Sequence, residues 1–407
     1  MERGEKLSGT FKAKGGESWY LVAIQTSGVD TDADVIRRAN PGLNEPLPPG
    51  AIVQIPVDSP SGEVETIPGL SIRVDNQEIG TYDDFELALA IDAISKGGFT
   101  VPNEPETRKI FVPLASPKVE IRYDGELLLS GRCESPQPDN SSESKTLNIE
   151  FYAGAGILER VHPPMSAFPL EWKDTALNQI ADDLCRYHSV ACDFQASAGA
   201  RFKRVDIQPE NVVLDFLAGL AAQRGPVITS SADGQLVFWT GTAPGSPVSR
   251  LVKGAAPCGE VSVQFDESKF YSSVTGKIPA HSKKGKGSSF TVNNPNAGEL
   301  VRPFIFEAQD IDVGELETAV NTMAGRIFAV VVSVSVEIQS WTADDGSIYW
   351  PNQTVTLTSP EDYIPEEFEF LVSEVTLKRS SSARSAVLKL VLPGVYSGEI
   401  PEVMPWQ

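Results

Sequence analysis

Val330-Val331-Val332-Ser333-Val334-Ser335-Val336-Glu337-Ile338-Gln339 is the most regular stretch of the chain, and its period is two. Val330, Val332, Val334, Val336 and Ile338 point one way, while Ser333, Ser335, Glu337 and Gln339 point the other. That is the pattern of a β-strand with one buried face. Three further strand candidates follow, at 354–357, 368–377 and 386–392. Immediately before it, residues 315–326 place Leu316, Ala319, Val320 and Met323 on one helical face. Upstream again, Val261, Val263 and Phe265 alternate. The last third of the chain, 251–407, therefore reads as a β-domain with one helix and a C-terminal tail.

The same texture appears at 62–165, after the linker Asp58-Ser59-Pro60-Ser61-Gly62. Ser71-Ile72-Arg73-Val74-Asp75 alternates. So does Lys118-Val119-Glu120-Ile121-Arg122-Tyr123, and Asp124-Gly125 turns it into Glu126-Leu127-Leu128-Leu129-Ser130-Gly131 as a hairpin. A polar loop at 136–145 precedes the strand Thr146–Phe151. Short strands bounded by turn residues predict a barrel or a sandwich.

Residues 166–250 read differently, as a small α/β domain. Asp174 is a candidate N-cap for a helix whose Leu177, Ile180, Ala181 and Leu184 share a face. Pro209 and Glu210 open a second helix, with Val213, Phe216, Leu217, Leu220 and Ala221 apolar and Arg224-Gly225 at its end. Asp233-Gly234 turns a closing hairpin.

At the other end, residues 1–15 read as a flexible lead and 16–58 as a compact β-α-β module. A strand begins at Ser18-Trp19-Tyr20, a helical turn at 34–39 stops at Asn40-Pro41-Gly42, and Ala51 to Pro56 is a closing strand.

The 407 residues carry a net charge of −21, with 34 Lys and Arg against 55 Asp and Glu. Tight DNA or RNA binders displace phosphate counterions with basic side chains, so this balance excludes that class. It also disfavours an anionic membrane surface. No apolar run approaches the roughly 18 residues of a membrane span, and no stable insertion is expected. Met1 to Lys14 is polar, without the apolar core of a signal peptide, which predicts synthesis in a cytosol.

Chemical motifs fail on their required spacing. Asp30-Thr31-Asp32-Ala33-Asp34 opens like a calcium loop, but Val35 stands at the position that needs Gly and Pro41 where a bidentate Glu belongs. Gly154-Ala155-Gly156 is followed by Glu159 instead of the third dinucleotide-loop glycine. Cys185, His188 and Cys192 supply too few ligands for a structural zinc site, and the four cysteines form no C-x-x-C pair. No Gly-x-Ser-x-Gly elbow occurs, and no carboxylate pair is singled out for glycoside hydrolysis. No catalytic residue, metal site or cofactor is expected. Two contact regions are candidates. Trp19, Tyr20, Asn40 and Pro41 form a docking or glycan-binding surface in the N-terminal module. Lys283, Lys284 and Lys286 form a basic partner-contact loop.

The run Ile36-Arg37-Arg38-Ala39-Asn40-Pro41-Gly42-Leu43, with Leu47-Pro48-Pro49-Gly50 and Ile55-Pro56, resembles the end of a LysM module. Across 64–396, several motifs stand in a familiar order. They are Ser130-Gly131-Arg132, Leu184-Cys185, the run from Phe202 to Glu210, Arg224-Gly225, Asp233-Gly234-Gln235-Leu236, Asp345 to Asn352, and Leu390 to Tyr396. This order resembles the baseplate hub (tail) proteins of Mu-like contractile phages, to which type VI secretion spike hubs are related.

The resemblance implies a mainly β fold with two tube-like β-barrel domains, 62–165 and 251–407, flanking the α/β domain. It implies a homotrimer whose six barrels meet a hexameric tail tube or tube-initiator protein. A separate trimeric spike and the baseplate wedge proteins would be further partners. DNA would pass through the assembled lumen, and the chain would reside in the virion's tail baseplate. Two other readings stay open at this point: a wall-binding or wall-degrading tail protein, and the hub of a tailocin or secretion-type injector.

Overall fold

The computed structural model describes residues 7–12, 37, 40, 43–44, 46–48, 51–56, 69–141, 145–242, 245–279, 287–308, 313–380 and 384–407. The chain divides into two compact units, Met1–Val64 and Glu65–Gln407.

In the first unit, strand β1 (Leu7–Lys12) pairs antiparallel with β2 (Ile52–Pro56), Lys12 opposite Ile52 and Thr10 opposite Gln54. The closing strand stands where the sequence predicts it. The flexible lead does not hold throughout, because Leu7–Lys12 is a ladder strand. Leu47 and Val53 are buried, as is Asn40, whose N–H donates to Arg37 O and whose carbonyl accepts from Leu43 N. This is the turn expected at the Asn-Pro-Gly stop. Half of the residues that carry the LysM resemblance, Pro41 among them, lie outside the described residues, as do Trp19 and Tyr20.

The second unit is mainly β. Its first part comprises β3 (Leu70–Val74), β4 (Gln77–Glu78), β5 (Asp83–Ala90), β6 (Lys96–Pro102), helix α1 (Pro105–Ile110), β7 (Lys118–Tyr123), β8 (Glu126–Cys133), β9 (Gln137–Asn140) and β10 (Lys145–Ala153). They pair in the order β5-β6-β10-β8-β7-β3-β4. The sheet curls so that its ends meet: Tyr82, just before β5, donates its O–H to Leu70 O at the start of β3. Phe85, Phe99 and Phe151 pack ring against ring inside it. Asp124 (φ 48°) and Gly125 (φ 85°) make the expected hairpin turn, two consecutive positive φ values that Asp-Gly tolerates. Gln137–Asn140, expected as loop, is a strand along the edge of β10, where Pro138 is compatible with the ladder.

The middle part contains β11 (Glu171–Thr175), α2 (Leu177–Arg186), β12 (Cys192–Phe194), β13 (Phe202–Asp206), α3 (Val213–Arg224), β14 (Val227–Ser230) and β15 (Leu236–Trp239). The predicted face of α2 is buried in full. Its N-cap, however, is Ala176: Asp174 belongs to β11, which pairs with β13, and faces Arg201 at 3.6 Å. Helix α3 starts at Val213, four residues after Pro209, because the Asn211 side chain accepts from Gln208 N and holds a turn there.

The last part holds β16 (Ser249–Val252), β17 (Cys258–Phe265), β18 (Ser273–Ile278), β19 (Ser288–Asn293), β20 (Pro303–Glu307), α4 (Leu316–Ala329), β21 (Val332–Ile338), β22 (Thr354–Ser359), β23 (Ile364–Arg379) and β24 (Arg384–Val391). Val332, Val334, Val336 and Ile338 are at most 1% exposed. Val330 departs from the expected face. Helix α4 runs on through Ala329, so Val330 is its C-cap and is 50% exposed. Phe265, expected to alternate inward, is also exposed.

One sheet joins the first and last parts. β23 pairs with β22 over its first half and with β5 over its second, and a bulge between Val372 and Glu374 bends it at the switch. Trp341 contacts Phe85 and Tyr123 and donates its Nε1–H to Ser385 O at 2.9 Å, so the cores on either side of this ladder are one.

Candidate assembly surfaces

Of the sequence-predicted contact residues, Asn40 is described and buried; Trp19, Tyr20, Pro41, Lys283, Lys284 and Lys286 lie outside the described residues. The basic stretch falls between β18 and β19. Those strands and β20 form a small sheet lying on α4 through Val274, Leu316, Val320 and Ala324.

The three middle-part metal candidates pack as ordinary side chains. The Cys185 thiol lies against Cys192, and that contact and burial both push its pKa upward. Burial lowers the pKa of His188. Among the described residues no cluster of three metal-ligating side chains occurs.

Hydrogen bonds from all three parts converge on a joint at the turn Ile91–Ser95 between β5 and β6. Thr229 of β14 donates its hydroxyl toward Ala90 O (2.7 Å) and Ala93 O (2.9 Å). Trp239 of β15 donates Nε1–H to Ile91 O at 2.8 Å, and Ile91 N donates to Ser373 O of β23. Ser95 N donates to Ser230 Oγ. Beside this turn, Asp92, Arg326 of α4 and Tyr396 line a cavity of about 200 Å³. Asp92 is open to solvent at its rim, yet the crowding protein raises its pKa; the Tyr396 hydroxyl and the Arg326 charge oppose the rise. Burial pulls the Arg326 pKa down, with the Asp92 charge acting against it. The guanidinium donates to Pro226 O at 3.2 Å. This joint fixes the parts against one another.

The outer face of β5, β6 and β10 is a groove of about 510 Å³ rich in carboxylates: Asp84, Glu86, Glu134, Glu150 and Glu159, with Lys96 and Arg160 as the basic members. Glu134 and Arg160 pair with each other. Glu366, Glu367 and Glu369 stand exposed on β23. These surfaces repel phosphate and suit basic partner groups. Sequence reading missed the joint because its bonds link residues more than 130 positions apart.

Residues 165–240 match the family described as baseplate hub protein gp44-like, second domain. Baseplate hub protein gp44 of Escherichia phage Mu is 28% identical over 324 residues, 76% of this chain and 83% of that protein. Two solved structures share the fold at 17% identity. The 43 kDa tail protein of prophage MuSo2 from Shewanella oneidensis has a TM-score of 0.68, covering 81% of this chain and 99% of that one. A tail protein from Neisseria meningitidis MC58 has a TM-score of 0.69, covering 81% and 98%. The sequence match extends well beyond the middle part, and the tail-protein fold extends over most of the mainly β unit. This chain is thus a homologue of the phage Mu baseplate hub protein gp44.

Proposed function

We propose that this chain is a structural hub of a contractile phage tail, three copies of which form a ring between the tail tube and the central spike. The observation that carries the reading is the sequence match to the Mu hub over three quarters of the chain. In this reading 62–165 and 251–407 are the two tube-like barrels, and 166–250 braces them through the Ile91–Ser95 joint. Six barrels from three chains offer a sixfold surface to a hexameric tube, and the threefold face receives a trimeric spike. The N-terminal module docks tube or baseplate proteins.

The chain works by geometry, without catalysis, and resides in the virion's tail baseplate after synthesis in the host cytoplasm. DNA slides through the lumen without sticking, because a net charge of −21 leaves no counterion-release gain for binding. Mass measurement in solution and a reconstruction of the tail tip test this. Three copies around the axis are expected; a monomer at the tail tip, or six copies, overturns the reading. Loss of turbidity in cell-wall preparations, abolished by a single carboxylate substitution, would establish an enzyme instead.

A further inference from the structure

Arg379 and Arg384 stand directly opposite each other at the end of the β23–β24 ladder. Both lie on the core-facing side of their strands. Arg379 comes two residues after Leu377 and Arg384 two before Ala386, and both of those residues are fully buried. Side chains opposite each other on one face have Cβ atoms about 5 Å apart, where two like charges destabilise a ladder. A chain with 55 acidic residues against 34 basic ones could easily supply a carboxylate between them. Among the described residues, however, neither guanidinium forms an ion pair. Asp83 and Asp124 adjoin in sequence the two tyrosines that the arginines touch, but they are turned elsewhere. Asp83 Oδ1 accepts from Asp84 N, and the Asp124 carboxyl lies against Gly69. Lys378, on the opposite face of β23, pairs with Glu86 at 3.5 Å.

The groups around the pair are further donors. Arg384 Nη1 donates to the Tyr123 hydroxyl at 3.0 Å, and the proton of that hydroxyl has no acceptor among the described residues. Tyr123 is only 5% exposed, so little water reaches it. Arg379 lies over the Tyr82 ring at 5.9 Å, and its Nη1 is buried without a hydrogen-bond partner. A ring face offers weak attraction to a cation and no lone pair. The two tyrosines are neighbours, because Tyr82 donates to Leu70 O and Leu70 pairs with Tyr123. Two guanidinium groups and a phenol thus share one place, with donors in excess and no acceptor. Buried donors left unpaired cost stability, and folded proteins satisfy such groups with water or an ion. Water would fill the hydrogen bonds but leave the repulsion; an anion removes both.

We propose that Arg379, Arg384 and Tyr123 bind a small oxyanion of the phosphate class. Guanidinium forks match the paired oxygens of such an ion, and the phenol donates to another. Arg384 is exposed, so the ion enters from its side, while half-buried Arg379 and buried Tyr123 hold it from within. Bound there, it ties the end of the β23–β24 ladder in the last β part to β7 and Leu70 in the first. The site is complete within one chain and needs no second copy.

The test uses the full chain and inorganic phosphate, against chloride at matched ionic strength, read by isothermal titration and by the thermal midpoint. One phosphate per chain is expected, with a midpoint that rises and then levels off as the site fills. Arg379→Gln and Arg384→Gln are each expected to weaken binding about tenfold or more, because each removes charge-assisted hydrogen bonds. Lys378→Gln, on the opposite face, is expected to leave binding unchanged. Arg384→Glu places a carboxylate opposite Arg379 in the ladder itself. It is expected to raise the midpoint in phosphate-free buffer and to abolish the response to phosphate. A wild-type chain with no saturable phosphate binding overturns the site. So does an equal phosphate response in wild type and Arg384→Glu, which would reduce the effect to the general exclusion of phosphate from protein surfaces. A loss in Lys378→Gln as large as that in Arg379→Gln overturns it as well.

Discussion

Val334 is 1% exposed at the centre of β21, between Val263 of β17 and Leu390 of β24. A carboxylate there would be buried with no cation in either neighbouring register position. Val334→Asp should cost about 4 kcal/mol or more. Loss of the folding transition in urea is the expected result, whereas Ser335→Thr on the half-exposed face should shift the midpoint little.

Cys133 offers a separate test through its proton. Burial pushes its thiol up from 9.0 to about 12, and the Asp75 charge adds to the rise. The folded pKa lies above the unfolded one, so this contribution to stability is complete below pH 9.0 and is lost as pH rises toward 12. Stability should therefore fall on the alkaline side, and Cys133→Ala should flatten that fall even if it lowers stability at neutral pH. An unchanged alkaline slope in Cys133→Ala would remove the thiol from the account.

The elements show why some readings transfer from sequence and others do not. A period of two identifies β21, and period 3.6 identifies the buried face of α2, because both signals are local. The start of β21 is not local. Val330 fits the alternation, but Ile327 and Phe328 extend α4, and the helix end takes Val330 as its cap. Asp174 has the chemistry of an N-cap, yet it lies within β11 at positive φ, faces Arg201, and leaves the cap position to Ala176. Gln137–Asn140 has loop composition and becomes a strand only because β10 offers an edge. The opposition of Arg379 and Arg384 leaves no trace in composition, since register is a property of the folded ladder. The basic stretch at 283–286 was legible as charge, but it lies outside the described residues.

Helix α4 also depends on one missing side chain. A Cβ at Gly325 would stand 2.1 Å from Val395 O and 3.0 Å from Gly398 Cα, so the helix touches the chain's final turn backbone to backbone. Gly325→Ala improves helix propensity by about 1 kcal/mol. The overlap forces the turn away and should cost about 1–3 kcal/mol or more, so net destabilisation is expected in thermal melts. A stabilised Gly325→Ala protein would mean that the turn carrying Val395 and Tyr396 moves freely.

At the scale of the whole molecule, β23 is the element on which the two β parts depend together. Its residue Thr376 pairs with Ala88 of β5 on one side and Val387 of β24 on the other. One large buried cluster takes in residues from Leu70 to Met404, including the middle part's Leu177, Leu217 and Phe238, and a second, smaller cluster packs the β18–β20 sheet on α4. Parts that share a ladder and a core cannot lose one without exposing the other, so Glu65–Gln407 should unfold in a single transition with equal calorimetric and van't Hoff enthalpies. Thr376→Pro removes a ladder N–H at the shared strand and should lower the stability of both β parts at once, by about 3 kcal/mol or more. Removing residues 1–60 should leave that transition in place, because the core that drives it begins beyond them. Two resolved transitions in the wild-type chain, or a Thr376→Pro protein in which one β part melts early and the other is unmoved, would mean that the β parts fold as independent bodies. In the proposed role of carrying load between tube and spike, independent bodies joined by one strand would yield at that strand first.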